Sequence, residues 1–532
     1  MTDVIIVGGG HNGLVAAAIL AKAGKRVVVL ERADRPGGCA RTDEIAPGFR
    51  CPTLAHFAAI DPAIVRLLAL ERHGLAIVRP DADVCAPSAA GRALVLWRDS
   101  AHAARDLAVH SQKDADRWPL FLESFARISG LLRVVARTAP PSIDDPSAGD
   151  LLELLKAGRA FRALGKADAH RLLRWMPMAV ADLVGESFES EPLRAAIAAG
   201  GVLGSFLGPW SAGSGAVLLW LGASEGHPVA SGWFARGGAG AIADALASAA
   251  RAAGAEIRTG VDVAQITVTG GAATGVALTT GGQLQARAVA STLDPKRTLL
   301  GLVDPMHLDP GTMQRARNIR AHGTLAKINY AVDALPRFTS MAGRDTAERV
   351  AALSGRVRLA DDIDAIERAF DAAKYGRIAD RPWVELTIPS ITDPSLAPEG
   401  KHVVSAYVQY APYLLRGSSW EDEGKRIAEV ATRTIEDHAP GFAASIVARQ
   451  TITPLDLERT YGLTGGHIFH GELALDQLFI TRPLLGWARY ETPVPNLYIC
   501  GSGAHPGNGL TGRTGALGAQ AILKALGQSR AR

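Results

Sequence analysis

Short unbroken apolar runs alternate with glycine turns and helical spacing at both ends of the chain. Residues 4–7 are apolar throughout, the pattern of a parallel strand buried on both faces. Residues 14–23 carry apolar side chains at helical spacing, and Gly24 stands where a helix C-terminal glycine belongs. Residues 27–30 predict a second buried strand. At the far end residues 496–500 predict a strand that enters a glycine-dense turn, and a helix follows over 514–526.

The pattern between these ends is mixed. Residues 61–74 read as helical, and 76–95 as short strands broken by Pro80, Pro87 and Gly91. Residues 100–190 are mostly helical. A helix through Ala253 leads to a strand and turn over 255–263. Alternating strands with Gly-Gly turns follow at 265–269, 275–279 and 283–290. Residues 311–484 mix helices and strands without a repeat. The expected class is α/β with α+β parts.

Two stretches need a choice. Residues 195–224 carry no charged side chain, and about 20 apolar residues suffice to cross a bilayer. Repeated glycines and Pro209 break the run, so it is read as buried irregular structure lining a cavity. Residues 151–184 interleave apolar side chains with Lys156, Arg159, Arg162, Lys166, Arg171 and Arg174. The first reading is a solvated helical face; peripheral contact with a membrane is the second.

The turn after the first strand holds Gly8, Gly10 and Gly13 in the spacing G-x-G-x-x-G, and the second strand ends on Glu31. Gly8 permits the tight turn, Gly10 lets the backbone approach a pyrophosphate, and Gly13 allows close packing of helix on strand. The N–H groups of the first helical turn face the phosphates. Glu31 is placed to accept from a ribose diol and would repel a 2′-phosphate. This is a dinucleotide-binding βαβ unit. Gly501–Gly512 is a second glycine-rich turn before a helix, so both chain ends are expected to meet on one cofactor.

Composition narrows the class. The chain has 532 residues, 21% charged and 48% hydrophobic, which is globular and long enough for two or more domains. Net charge is +4 and no basic run is concentrated, so nucleic acid is not an expected partner. Cys39, Cys51, Cys85 and Cys500 are far apart, which argues against a dithiol centre and a structural zinc. His467, His470 and Glu472 lack a metal-ligand spacing and are read as a hydrogen-bonded loop near substrate; no metal is expected. The early first strand and the cysteine usage point to the cytoplasm, with a location peripheral to the inner membrane as the alternative.

The Gly37-Gly38 pair after Glu31 resembles the flavoprotein form of the nucleotide motif, in which Arg41 and Thr42 would lie along FAD. The fragments GGGHNGL, LER, PGG, ARGGAGAIADALASAARAAGAEIRTGVDV, GHIFHGELALDQLF, LYICGSGAHPGNGLTG and LPRFTSMAG together resemble the FAD-dependent desaturase family. That family includes phytoene desaturases, desaturase-like carotenoid ketolases and the group named pyridine nucleotide-disulfide oxidoreductase domain-containing protein 2. The resemblance implies a discontinuous Rossmann-type FAD-binding domain over 1–90, 230–310 and 485–532. A separate mixed helix/sheet substrate domain would span 91–229 and 311–484. It implies FAD contacts from Gly8, Gly10, Gly13, Glu31, Arg32, Gly37, Gly38 and Arg41. Val263 would meet the adenine, Gly501 the ribityl–pyrophosphate chain, and Gly507–Gly512, including Gly509, Leu510 and Thr511, the isoalloxazine. The chain departs from the family pattern at GGCART, at Asn508 and at RTGALGAQ, all near the expected flavin.

Three functions are expected in order. The first is an FAD-dependent dehydrogenase or desaturase acting on a hydrophobic, isoprenoid or lipid-like substrate, with His505 as the candidate polar group by the ring. The second is a flavin amine oxidase with Trp487 and Tyr490 as aromatic walls. The third is a non-catalytic flavin protein acting through partners. Assembly with a second copy of the chain is left open.

Overall fold

Ile5 and Ile6 point to opposite faces of the first strand, Thr2–Val7, and both are fully buried. In this computed structural model, which describes residues 2–528 except 57–58, 90, 143–145, 225, 230–231 and 508, that strand is central to a seven-stranded sheet. It pairs in parallel with Val27–Leu30 on one side and Gln283–Ser291 on the other. Glu256–Arg258 extends the parallel part beyond Val27–Leu30. Gln283–Ser291 begins antiparallel to Ala272–Leu278 and finishes parallel to Leu497–Ile499. Val263–Thr269 closes the antiparallel edge. A strand from near residue 500 thus lies one strand away from the first.

Helices His11–Lys22, Gly240–Ala252 and Arg513–Gln528 contribute to a core on one face of this sheet. Their facing positions are largely alanine, including Ala16, Ala17, Ala243, Ala250 and Ala519, which brings the backbones close. Each larger aliphatic side chain buried beneath them, such as Ile6 or Leu14, contributes about 1.5–3 kcal/mol. The first helix starts at His11 rather than at residue 14, because extended Gly10 serves as its N-cap. Ile5, Leu299, Leu302 and Ala316 fill the core on the opposite face.

The second sheet runs Ile446–Ile452, Leu325–Val332, His402–Gln409, Trp383–Thr387, Arg356–Leu359, Ala82–Ala86, Leu94–Trp97. Ala82–Ala86, expected in the nucleotide domain, pairs here instead, because its side chains alternate between two cores of the second domain. Helix Pro310–Asn318 shifts the other way: Ala316 packs with Leu299 beneath the nucleotide sheet. Along the second sheet Ala326, Ile328, Val404, Ala406, Val384 and Val357 belong to one apolar core. The alternate positions Lys327, Ser405, Tyr407, Glu385, Arg356 and Arg358 therefore take the other face.

Helices Ser100–His110, Gln112–Ala136, Gly165–Trp175 and Val180–Gly185 surround a core with Phe121, Phe125, Trp175 and Trp220. The uncharged stretch takes in the end of helix Glu191–Ala198 and the whole of Ser214–Ala223 with turns between, and most of it is buried. Among the described residues no helix is long and apolar enough to cross a membrane.

Candidate active site

The glycine loop is built by close approach. Gly8 has φ +97°, and a Cβ on it would lie 2.6 Å from Thr292 Oγ1. A Cβ on Gly13 would lie 2.3 Å from the Gly8 carbonyl oxygen, so helix and strand meet there only through glycine. Gly10 differs: its nearest neighbour to an added Cβ is Gly38 Cα at 3.9 Å, and both glycines line a cavity. No side chain caps the first turn of His11–Lys22 and no acid sits in it. Glu31 accepts from the Gly9 and Ala33 backbone N–H groups at 2.7 and 2.8 Å, holding the loop against the second strand.

The C-terminal turn closes over this loop. His11 Nε2 and the Gly509 carbonyl oxygen are 3.2 Å apart, and Asn12 donates to Ser502 Oγ at 3.2 Å. The Gly515 N–H donates to Asn12 Oδ1 at 3.1 Å. Arg482, fully buried, donates to the carbonyls of Phe469, Gly471, Glu472, Gln477 and Ser502, at 2.7 Å to Phe469. It fixes two wall segments, 468–470 and Ser502, to one another. Burial lowers its pKa to about 10.

One cavity results. Its wall includes Glu31, Arg32 and Val263 at the nucleotide end. Gly10, Gly38, Ser502, Gly509 and Leu510 follow, and Leu54 and His56 complete the wall with Leu203, Tyr407, Arg356 and Phe469 of the substrate domain. His470 also lies in the wall; its φ is +58°, and its buried Nδ1 has no hydrogen-bond partner among the described residues. Burial, with His470 nearby, lowers the pKa of His11 to about 4, so its imidazole is neutral at physiological pH. The open side of Gly10, the uncapped helix start and the unsatisfied His470 nitrogen fit a dinucleotide with a polar ring system.

A family model for flavin-containing amine oxidoreductases matches residues 13–513. The chain belongs to that family. It is 37% identical to rat pyridine nucleotide-disulfide oxidoreductase domain-containing protein 2, over 98% of this chain and 94% of the rat protein. It is 26% identical to the lycopene-forming phytoene desaturase of Pantoea ananas, over 98% and 99% of the two chains. A solved putrescine oxidase variant shares the fold with a TM-score of 0.62 at 17% identity, over 99% of each chain. The chain is thus a flavin-dependent oxidoreductase that binds FAD. Among the described residues all four cysteines are free, and burial raises the thiols of Cys39, Cys85 and Cys500 to about 12.

Of the residues expected to hold FAD, Gly8, Gly10, Glu31, Arg32, Gly38, Val263, Gly509 and Leu510 lie in the cavity wall. Gly13 and Gly37 stand behind it, Gly37 in a bridge to Gly10. Arg41 is turned toward Asp43, 3.5 Å away, and Thr42 Oγ1 accepts from the Gly240 N–H. Gly501 packs on the Thr292 carbonyl, and Ser502 takes the wall position in its place. Thr511 lines a neighbouring pocket and Gly512 packs on Val15 and Ile64. Asn508 lies outside the described residues.

His505 is not in this wall. It is buried with Nε2 3.1 Å from the Val135 carbonyl oxygen, and burial lowers its pKa to about 4. Trp487 and Tyr490 are also elsewhere: Trp487 stacks on Arg315, and Tyr490 donates to the His505 carbonyl. In the 467–472 loop, His467 Nδ1 accepts from the Phe469 N–H, and Glu472 accepts from Phe206 and Arg320. Only His470 of that trio faces the cavity.

Sequence reasoning missed His56, Arg356, Tyr407, Tyr461 and Arg482. The strands 325–332, 383–387 and 402–409 did carry a signal: alternation that puts lysine, glutamate and tyrosine on one face.

Proposed function

We propose that this chain is an FAD-dependent dehydrogenase or desaturase acting on a hydrophobic, isoprenoid- or lipid-like substrate. One observation carries the reading: the cavity that begins at the nucleotide loop continues into a wall of Leu54, Leu203, Leu221, Ile468 and Phe469. Leu203 and Leu221 come from the uncharged stretch. Bound FAD supplies a two-electron acceptor for hydride from a substrate C–H bond. The chain positions an apolar substrate along these leucines and keeps water from it. The phytoene desaturase relative, named for a polyene, supports the same class.

A second reading, oxidation of a neutral amine, draws on Tyr407 and Tyr461 in the wall and on the family name. Anaerobic mixing of the FAD-loaded protein with polyenes, long-chain lipids and alkyl amines separates the two. Bleaching of the flavin by polyenes or lipids supports the dehydrogenase. Bleaching by amines alone replaces it with the oxidase, and no bleaching by any member leaves a non-catalytic flavin protein.

Peripheral contact with a membrane is also proposed. Leu151, Leu152, Leu154 and Leu155 are about half exposed on helix Ala148–Ala163, beside exposed Lys156, Arg159 and Arg162. Exposed leucines grouped with cations suit the surface of an anionic bilayer.

A further inference from the structure

The polar face of the substrate-domain sheet meets the cavity at Arg356 and Tyr407. In the strand register Lys327 stands opposite Tyr407, Tyr407 opposite Glu385, and Glu385 opposite Arg358. These side chains form one row across four strands. Glu385 accepts from Arg356 at 2.9 Å and from Arg358 Nε at 2.8 Å. Lys327 Nζ lies 5.4 Å from the centre of the Tyr407 ring, and His56 stacks on that ring at 3.7 Å. Arg356, His56 and Tyr407 all line the cavity.

Among the described residues the basic side chains of this row outnumber the acids. Two guanidiniums share one carboxylate, and both arginines keep Glu385 ionised by holding its pKa below the usual range. Lys327 adds a third basic group, hydrogen-bonded to Asn329 Oδ1 at 2.7 Å and to the Pro52 carbonyl at 3.2 Å, with no acid among its partners. Burial lowers its pKa to about 7. Burial, and then the fields of Lys327 and Arg356, hold His56 far below its ordinary pKa. Glu31 and Asp262, acids of the same cavity, belong to its nucleotide end. A buried excess of cations is costly unless an anion joins it.

We infer that the substrate carries an anionic head group on an apolar chain, held at the Arg356–Tyr407 wall while the chain lies along Leu54, Leu203 and Ile468. This rests on the dehydrogenase reading and narrows it: a neutral hydrocarbon brings no negative charge to this wall, and alkylammonium ions are repelled. Carboxylate and phosphate heads share the required chemistry.

The test is binding, read as perturbation of the flavin absorbance of the FAD-loaded protein by decanoate, decyl phosphate, decanol and decylamine. At least one of the two anions is expected to bind about ten-fold or more tighter than decanol, the scale of a charged hydrogen bond. Decylamine is expected to bind weakest. In Arg356→Gln the preference of anion over alcohol should shrink several-fold, with FAD content unchanged; Arg356→Lys, which keeps the charge, should retain more of it. Decanol binding as tightly as both anions to the wild-type protein overturns the inference, whatever the variants do. An unchanged preference in folded Arg356→Gln overturns the assignment to Arg356. If neutral polyenes bleach the flavin while the anions show no preference, the head group is wrong and the dehydrogenase stands. If decylamine binds tightest and amines alone bleach the flavin, both fall.

Discussion

Asn12 and Ser502, 490 positions apart, are hydrogen-bonded at 3.2 Å in the buried seam between the two ends of the chain. The same Asn12 side chain accepts from the Gly515 N–H that opens the last helix. Asn12→Leu keeps the branched shape and removes both bonds. It is expected to cost about 1–3 kcal/mol, because the Gly515 N–H is left buried without a partner. Ser502 belongs to the cavity wall, so FAD should also be released at lower denaturant than in the wild type. Chemical unfolding followed by flavin fluorescence and circular dichroism measures both.

Two glycines of one motif should behave differently. Gly13→Ala drives a methyl group to within 2.3 Å of the Gly8 carbonyl oxygen and is expected to destabilise the fold itself. Gly10→Ala meets nothing closer than 3.9 Å and places its methyl group in the cavity. It should fold normally and purify without FAD. Thermal melts of the two apo-proteins, with FAD titrations, check the distinction.

Much of this fold was legible in the sequence, for a physical reason. The first strand and helix are local: a run of apolar residues, a glycine loop and an acid at a fixed distance carry their own geometry. The meeting of the chain ends was legible too, from the second glycine-rich turn. What could not be read is where loops with no period come to rest. His505 sits in a motif that points to the flavin, yet it faces Val135 on a distant helix. Arg482 has no periodic signature, although it ties five carbonyls of the irregular loops on either side of it. The placement of Ala82–Ala86 was missed because a short apolar strand does not say which sheet it joins.

Buried neutral histidine gives a pH signature. The folded pKa of His505 is depressed to about 4 by burial, aided by Arg482, from an ordinary 6.5. The unfolded chain therefore binds a proton that the native protein refuses between those values. Stability is full above pH 6.5 and falls as pH drops toward 4, by about 2 kcal/mol at pH 5 from this residue. His505→Gln, which can still donate to Val135, should lose less stability between pH 7.5 and 5 than the wild type. Urea unfolding at the two pH values gives the difference.

The exposed leucines make a prediction independent of the flavin. Leu151→Asp with Leu155→Asp should abolish sedimentation with anionic vesicles and leave FAD content unchanged. Equal sedimentation of wild type and variant with these vesicles would remove the membrane proposal.

Both chain ends build the wall of one cavity for FAD. The most direct test is the absorbance spectrum of the purified, folded protein after FAD titration and gel filtration, with the released cofactor identified by chromatography. One non-covalently bound FAD per chain is expected, and its loss in Gly10→Ala. A folded wild-type protein that retains no FAD would contradict it.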